Sequence, residues 1–467
     1  MLDLVFKVQP KIVPVLDREF CPASLYNRKF LEAVNSSGKA IPLKIAIERG
    51  NGLISTYETK VFDDSHEMSK ANFLYVERLV KTLLWVKGGW KVTVGGSESV
   101  GNFIKEAYSD GGIREFDAKF MSKVYEKPFT VEVTDYAKVP QAKEETNPIG
   151  RHLEGCRIGF DAGGSDRKVS AVVDGEAIYS EEVIWHPKLN ENPDYHYEGI
   201  MDSIKRAASK MPRVDGIGVS AAGIYINNRV MVASLFIKVP EDLFEKKVKD
   251  MFLNIAKEMG NVPIEVCNDG DVTALAGAMD LNDTNVLGIA MGTSEAGGYV
   301  DGHGNITGWL NELAFVPVDY NPNAMVDEWS GDYGCGVKYF SQDSVIKLAP
   351  AAGIKLDEKL SPAEKLKIVQ NLLSEGNDGA RKIFESIGCY LGYALAYYAD
   401  FYDIKHVLIL GRVTSGEGGA LIQDFARKVL EAEFPDLAAK VQLHLPDESN
   451  RRVGQSIAAA SLPEIKK

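Results

Sequence analysis

The sequence lacks the features of exported, membrane-spanning and thiolate-metal proteins. None of its 467 residues lies in an uninterrupted apolar run approaching about 20, and the N-terminus carries acid and proline where a signal peptide needs a basic start and an apolar run. The five cysteines are scattered and form no CxxC pair, so neither a disulfide framework nor a cysteine metal cage is expected. We therefore expect a cytoplasmic protein with no membrane partner.

Basic charge is also scarce. The net charge is −13 at pH 7, and because residues 1–150 are nearly neutral, the acidic excess lies in the remainder. An acidic body opposes binding to phosphate backbones, so nucleic acid is not an expected partner. A GxxxxGK[ST] loop is absent, and no GxGxxG pattern follows a predicted strand, which excludes the P-loop and the dinucleotide fingerprint.

The composition divides the chain near residue 150. The segment AKVPQAKEETNPIGR is polar, holds two prolines and has no apolar period, which predicts a linker at residues 141–154. Before it, residues 1–140 combine alternating strand patterns with the helical segment ANFLYVERLVKTLLWVK and predict an α+β domain. After it, strands and helices alternate, with one helix predicted over EDLFEKKVKDMFLNIAKEMG at residues 241–260. The segment ARKIFESIGCYLGYALAYYADFY predicts a long buried helix. This pattern predicts an α/β fold with ligands at the strand ends.

The first candidate site follows a predicted strand that ends at Asp161. Gly163, Gly164 and Ser165 come next, and Lys168 adds a basic side chain. Glycines allow backbone N–H groups to approach phosphate oxygens, and Asp161 could hold a hydrated Mg²⁺ ion. The same residues are also good hairpin chemistry, and the two roles are compatible.

Two later segments repeat this arrangement of a buried strand followed by a glycine turn. The first turn offers hydroxyl and backbone donors, and the glycines of the second would let a flat base and ribose lie against the chain. The residues concerned are Gly292, Thr293 and Ser294 in the first turn, and Gly411, Thr414 and Ser415 in the second. Three such turns predict a phosphate-binding protein better than any one of them.

Between these turns, a strand ends in Asn268 and Asp269 ahead of an apolar helix. An Asp in this place can accept a hydroxyl proton during phosphoryl transfer. The alternative is helix capping, because Asn-Asp-Gly-Asp before an apolar helix is also an N-cap signature. The histidines His186, His196, His303 and His444 lack ligand spacing and predict solvated side chains.

The order of these motifs resembles the ROK (repressor, open reading frame, kinase) family of the actin-like ATPase superfamily. The likeness runs from about residue 155 to 463 and includes GVSAAG at residues 218–223 and VGQSIAAA at residues 453–460. The resemblance implies a two-lobed, ribonuclease H-like fold, with lobes at 155–280 and 281–467 preceded by an accessory domain at 1–140. It implies ATP and Mg²⁺ as cofactors, and phosphate and adenosine contacts at the three glycine turns.

The resemblance also implies a sugar-like substrate, with Asp269 as general base and Asn268 and Glu312 as substrate-binding residues. The chain departs from the family at the sugar-binding stretch, where Glu312 is retained but the family histidine is missing. Of the family's zinc-binding cysteines only Cys335 remains, so no zinc is expected and Cys335 is interpreted as a structural thiol. The expected function is phosphorylation of a sugar hydroxyl, with a homodimer as a possible assembly.

Two rival functions remain open at this stage. The departures from the family favour a non-catalytic sensor of a sugar or nucleotide as the first rival. An ATPase that couples hydrolysis to a partner protein is the second. A DNA-binding repressor is disfavoured, because residues 1–150 are nearly neutral and show no basic recognition helix.

Overall fold

The structure, a computed structural model, describes residues 4–144, 148–446 and 448–465, and side chains are described throughout except at residues 448–453. The predicted linker 141–154 therefore lies partly outside the described residues. Among the helices of the described ranges, none combines the length and apolar character needed to cross a membrane.

The described residues form a mixed α/β fold. The strands are β1 Ala40–Glu48, β2 Ile54–Phe62, β3 Lys91–Gly95, β4 Thr130–Thr134, β5 Cys156–Ala162, β6 Asp166–Val173, β7 Glu176–Ile184, β8 Gly216–Ala221, β9 Ile224–Ile226, β10 Arg229–Val232, β11 Ile264–Asn268, β12 Val286–Met291, β13 Glu295–Val300, β14 His406–Leu410 and β15 Gln442–His444. The helices are α1 Ala23–Ser36, α2 Ala71–Lys87, α3 Glu98–Ala107, α4 Glu115–Tyr125, α5 Pro193–Ala208, α6 Glu241–Leu243, α7 Met251–Glu258, α8 Asp269–Asp280, α9 Gln342–Leu348, α10 Pro362–Ser374, α11 Asp378–Tyr398, α12 Glu417–Glu433, α13 Pro435–Lys440 and α14 Glu448–Ala460.

The chain folds into two compact units that interleave in sequence. The first unit contains Met1–Glu145, Ile289–Gly297 and Trp309–Leu445, and the second contains Thr146–Gly288, Gly298–Gly308 and Pro446–Lys467. The residues of the predicted accessory domain thus share a unit with most of the predicted second lobe. The division of the chain into separate domains at residues 140, 154 and 280 stays a prediction.

The second unit is built on a five-stranded sheet in the order β11-β8-β5-β6-β7. Strands β5, β8 and β11 are parallel, whereas β5, β6 and β7 form an antiparallel meander. Gly159 and Gly218 lie opposite each other in β5 and β8, and a Cβ at either would come within 2.1 or 1.7 Å of a carbonyl oxygen of α14. The glycine pair therefore allows α14 to lie against the sheet.

The first unit contains the sheet β2-β1-β3-β4 and the sheet β13-β12-β14-β15, whose strands β12 and β13 continue into the second unit. In the β1 sheet, β1 pairs antiparallel with β2 and β3, and β3 pairs parallel with β4. Helices α1 and α2 and the long helix α11 are largely buried, and α11 packs along α12. The buried α11 confirms the prediction of a core helix.

Two sequence predictions need correction. The helix expected around residues 241–260 is broken into α6, a π-helical turn at Phe244–Val248, and α7. The break lies where the carbonyl of Lys249 accepts a hydrogen bond from Val230 of β10, at 2.9 Å. His196 is fully buried rather than solvated, because its ring nitrogen Nε2 lies 3.0 Å from the carbonyl oxygen of Pro187 and 3.1 Å from that of Leu235.

Candidate functional site

In the second unit, polar side chains gather at the carboxyl ends of three neighbouring parallel strands. Asp161 of β5 lies opposite Ser220 of β8, and Asn268 of β11 lies opposite Ala221. The Ser220 hydroxyl donates a hydrogen bond to Asp161 Oδ1 at 3.0 Å. The carboxyl edge of a parallel sheet is where α/β proteins bind ligands.

Asp161 is a half-buried carboxylate with an altered acidity. Burial, together with the smaller effect of the nearby negative charge of Asp269, raises the pKa of Asp161 to about 6. Lys168 opposes the shift, with its Nζ 4.0 Å from Asp161 Oδ2 and 3.1 Å from Asp166. A carboxylate whose pKa is raised by the charge of a neighbouring carboxylate is one that a divalent cation would stabilise in its ionised form.

The predicted first phosphate turn is the hairpin between β5 and β6, in which Asp161 pairs with Lys168. Gly163 is tightly placed, because a Cβ there would lie 2.6 Å from the carbonyl oxygen of Asp166. Gly164 and Ser165 are exposed at the tip of the hairpin. The hairpin interpretation is confirmed, and phosphate binding at the exposed tip stays a prediction.

Of the two residues at the start of α8, Asn268 makes the helix cap that the sequence predicted as an alternative to catalysis. Asn268 is the N-cap of α8, because its Oδ1 accepts the N–H of Gly270 at 2.8 Å and its Nδ2 donates to the carbonyl of Gly223 at 2.8 Å. Asp269 is the first residue of α8 and is half-buried, and its Oδ1 accepts the N–H of Gly270 at 3.0 Å. Burial raises the pKa of Asp269. The cap is thus made by Asn268, which leaves the Asp269 carboxylate for other chemistry.

Two side chains at this edge were not singled out from the sequence. Ser220 bonds Asp161, and the positive charge of Lys188 lowers the pKa of Asp269 against the effect of burial. Lys188 also approaches the hairpin, since a Cβ at Gly164 would lie 3.4 Å from its Nζ. The serine inside the buried GVSAAG strand was a visible signal, whereas Lys188 lies in an ordinary polar turn.

In the first unit, the second predicted phosphate turn joins β12 to β13. The Gly292 N–H donates to the carbonyl of Ser294 at 3.0 Å, and the Gly292 carbonyl accepts from Gln342 N–H at 2.9 Å. Thr293 and Ser294 are exposed, and a Cβ at Gly292 would meet nothing closer than 3.7 Å. The turn is therefore open to a ligand.

The third predicted turn, after β14, lies against the end of β12. Gly411 has φ +98°, and a Cβ there would lie 2.4 Å from the carbonyl oxygen of Met291, the residue before Gly292. The Thr414 hydroxyl donates to the Gly411 carbonyl at 2.8 Å, and Ser415 is exposed just before α12 begins. The structure thus brings the Gly292 and Gly411 turns together within one unit.

Glu312 is half-buried in this unit and lies near a second acid that the sequence did not identify. Glu295, the first residue of β13, is buried, and neither of its carboxylate oxygens has a hydrogen-bond partner among the described residues. Burial raises the pKa of Glu295 well above its usual range, and the charge of Glu312 adds to the shift. A Cβ at Gly336 would lie 2.3 Å from Glu295 Oε2. The available signal was a charged residue opening an otherwise apolar strand.

Cys335 is fully buried, and burial raises the pKa of its thiol to about 12. Its Sγ lies 3.8 Å from the carbonyl oxygen of Asp332. Within the described ranges, no group of three or more histidine, cysteine or acidic residues has an arrangement suited to a metal ion. That zinc is not used stays a prediction.

Comparison with known proteins identifies the family. The sequence model of the ROK family matches residues 157–454. A ROK hexokinase from Thermus thermophilus superposes with a TM-score of 0.51 at 18% identity, covering 65% of this chain and 97% of that one. A ROK family transcriptional regulator, a homologue of the E. coli MLC protein, superposes with a TM-score of 0.50 at 16% identity, covering 66% and 79%. No curated protein matched.

These two structures share the fold of this chain, although one is described as a hexokinase and the other as a regulator. The fold is the two-lobed actin-like fold of ROK sugar kinases, accompanied by further α and β elements from residues 4–144. With well over half of its length matched by the family's sequence pattern, the chain belongs to the ROK family.

Proposed function

We propose that this protein transfers the γ-phosphoryl group of ATP to a hydroxyl group of a sugar or sugar-like substrate. The observation that supports this most is the pair of half-buried carboxylates, Asp161 and Asp269, at the carboxyl edge of the β5-β8-β11 sheet. Phosphoryl transfer needs one group to take a proton and another to face the charged phosphates. Asp161 accepts a hydrogen bond from Ser220 and lies near Lys168, whereas Asp269 accepts the N–H of Gly270 and lies near the charge of Lys188.

Asp269 is proposed as the general base. The substrate hydroxyl oxygen forms the new bond to the γ-phosphorus while the bond to the ADP oxygen breaks, and the hydroxyl proton goes to the Asp269 carboxylate. A base with a raised pKa accepts a proton more readily near neutral pH, and burial supplies that shift here. Glu312 is proposed to bind substrate hydroxyls, and Asn268 supports Asp269 by capping α8.

The glycine turns are proposed as nucleotide contacts. The proposed phosphate and adenosine contacts are Gly163, Gly164, Ser165, Lys168, Gly292, Thr293, Ser294, Gly411, Thr414 and Ser415. The open space at Gly292 and the exposed hydroxyls beside it fit a phosphate group. Asp161 fits a Mg²⁺ ion held through water, and such an ion would neutralise phosphate charge when bound.

The test is ADP release from ATP and Mg²⁺ across a panel of sugars, amino sugars and polyols. Asp269→Asn should lower sugar-dependent turnover by about 10³-fold or more while nucleotide affinity changes little. Asp280→Asn is the matched control, because it makes the same substitution at the exposed last residue of the same helix. Equal turnover in wild type and Asp269→Asn would remove Asp269 from the base role.

A second candidate function is a sugar or nucleotide sensor without catalysis. One finding favours it: a structure described as a ROK family transcriptional regulator shares the fold of this chain, with a TM-score of 0.50. A sensor would show a ligand-induced rise in melting temperature without ADP release. The cytoplasmic location, the homodimer and the absence of a nucleic-acid partner remain predictions.

A further inference from the structure

Helix α2 is an unusually buried helix for one that carries several charges. Every residue of α2 except Phe73 is buried, including Arg78, Lys81 and Lys87. Burying charge is costly unless each group is paired, so the partners of these side chains indicate what the helix is built to hold. Some of those partners, Asp332 and Phe401 among them, lie outside the N-terminal residues 1–145.

The middle of α2 is fixed by a buried ion network. Arg78 donates to both carboxylate oxygens of Asp332 at 2.9 and 3.0 Å, and Lys81 Nζ lies 3.2 Å from Asp332 and 3.1 Å from Asp117. Arg114 of the segment leading into α4 also reaches Asp332 at 2.9 Å. The side chain of Asp332 is only 2% exposed, so this pairing takes place away from water.

The last turn of α2 holds residues 311–315, which we call the Glu312 segment. The carbonyl of Trp85 accepts the N–H of Glu312 at 3.0 Å, and the carbonyl of Val86 accepts the N–H of Asn311 at 3.1 Å. The final carbonyls of a helix have no partner within it, and here the segment supplies two of the missing donors. The backbone of Glu312 is therefore set by the end of α2.

Side chains reinforce the same junction. The indole ring of Trp85 stacks on Phe315 with ring centroids 4.1 Å apart and an angle of 25°. Lys87 Nζ lies 3.0 Å from the centre of the Trp309 ring and donates to the carbonyl of Phe401 at 3.0 Å. Both flanks of the Glu312 segment are thus bound to α2.

We infer that the N-terminal region takes part in substrate binding: its helix α2 holds the Glu312 segment in place, and Trp85 acts as a positioning residue for Glu312. The inference rests on the proposed role of Glu312 in binding substrate. It gives the N-terminal region a role: helix α2 holds the carboxylate-bearing residue Glu312 through backbone hydrogen bonds and an aromatic stack. Removal of the stack should loosen Glu312 without touching the nucleotide contacts.

Trp85→Leu is the decisive variant, and Phe73→Leu is its matched control. Phe73 is an aromatic residue of the same helix that packs against Phe103 at 4.7 Å, away from the Glu312 segment. Trp85→Leu should raise the sugar KM about tenfold and leave the ATP KM within about twofold, whereas Phe73→Leu should change neither. Trp85→Phe should restore most of the sugar affinity because it keeps an aromatic ring on Phe315, although it loses the hydrogen bond that the Trp85 indole N–H donates to Asp117 at 2.6 Å.

Amide hydrogen exchange gives a readout that does not depend on activity. The amides of Asn311 and Glu312 should exchange at least about tenfold faster in Trp85→Leu than in Phe73→Leu. In a Glu312→Gln background, Trp85→Leu should add little to the sugar KM, since both changes act through one residue. Phe315→Leu removes the same stack and should reproduce these effects if Trp85→Leu fails to fold.

Unchanged exchange at Asn311 and Glu312 would overturn the holding role of α2. Faster exchange with an unchanged sugar KM, or an equal rise in the sugar and ATP KM values, would overturn positioning. If wild type transfers phosphate to no sugar, the proposed kinase function fails separately. Sugar binding by calorimetry then replaces KM, and wild-type affinity in Trp85→Leu, or no sugar bound by wild type, would again overturn positioning.

Discussion

The buried network around Asp332 allows a quantitative prediction for stability. Three basic side chains, Arg78, Lys81 and Arg114, face the three carboxylates of Glu77, Asp117 and Asp332, so the set is neutral. The three bases hold the pKa of Asp332 well below its usual range in spite of burial. Asp332→Asn would keep the shape of the side chain and leave one positive charge uncompensated.

Breaking one member of a fully buried ion group costs about 3–5 kcal/mol. For a unit of this size, a loss of that order lowers the melting temperature by roughly 10 °C. The control is Asp378→Asn, which removes an exposed carboxylate paired with Arg381 at 2.9 Å and should cost less than about 1 kcal/mol. Calorimetry of both variants in one buffer measures the difference.

The charge argument makes a second demand on the same experiment. Lys81→Met added to Asp332→Asn removes the uncompensated charge and should recover part of the lost melting temperature. The reasoning from net charge is refuted if Asp332→Asn has the same melting temperature as Asp378→Asn, or if adding Lys81→Met lowers the melting temperature further.

Three further predictions concern the proposed site. The kcat/KM for sugar should rise with pH as Asp161 (pKa about 6) and Asp269 ionise, and a rise centred at the ordinary pKa of Asp would contradict this. The raised pKa values contribute stability to the folded protein in acid, and this contribution is lost as the pH rises through them. Gly411→Ala should raise the ATP KM or destabilise the protein, because Gly411 has φ +98° and the new Cβ would lie 2.4 Å from the carbonyl oxygen of Met291. Gly38→Ala is the control, since Gly38 has φ +66° with open space around it, and its effect should be far smaller. Equal effects would contradict the packing argument. Glu295→Gln should change the free energy of unfolding by less than about 1 kcal/mol, because burial keeps the acid protonated; a loss above about 3 kcal/mol in a denaturant titration would show that it is ionised.

Local patterns of the sequence predicted much of the second unit. The strands β5, β8 and β11 were recognised because each is a short apolar run that ends in a glycine or polar turn. Asp161, Asn268 and Asp269 came with them, since they lie at the ends of these strands. Only the geometry shows that Asn268 makes the helix cap, whereas the catalytic role of Asp269 stays a prediction.

Features that depend on distant partners could not be predicted. Arg78 and Asp332 lie 254 positions apart in the sequence, so nothing local shows that a charged helix would be buried. His196 is buried because its ring meets carbonyl groups of two other segments, and the break after Val248 follows from a bond to β10. The only sign of Glu295 in the sequence was an acidic residue at the start of an otherwise apolar strand.

The most direct test of the proposed function follows the γ-phosphoryl group itself. Wild-type protein is incubated with ATP labelled in the γ-phosphate, Mg²⁺ and the sugar panel, and label is counted separately in phosphorylated sugar and in free phosphate. The proposal predicts label in a sugar, lost by about 10³-fold in Asp269→Asn and retained in Asp280→Asn. Label only in free phosphate, or none transferred from ATP, would contradict a sugar kinase.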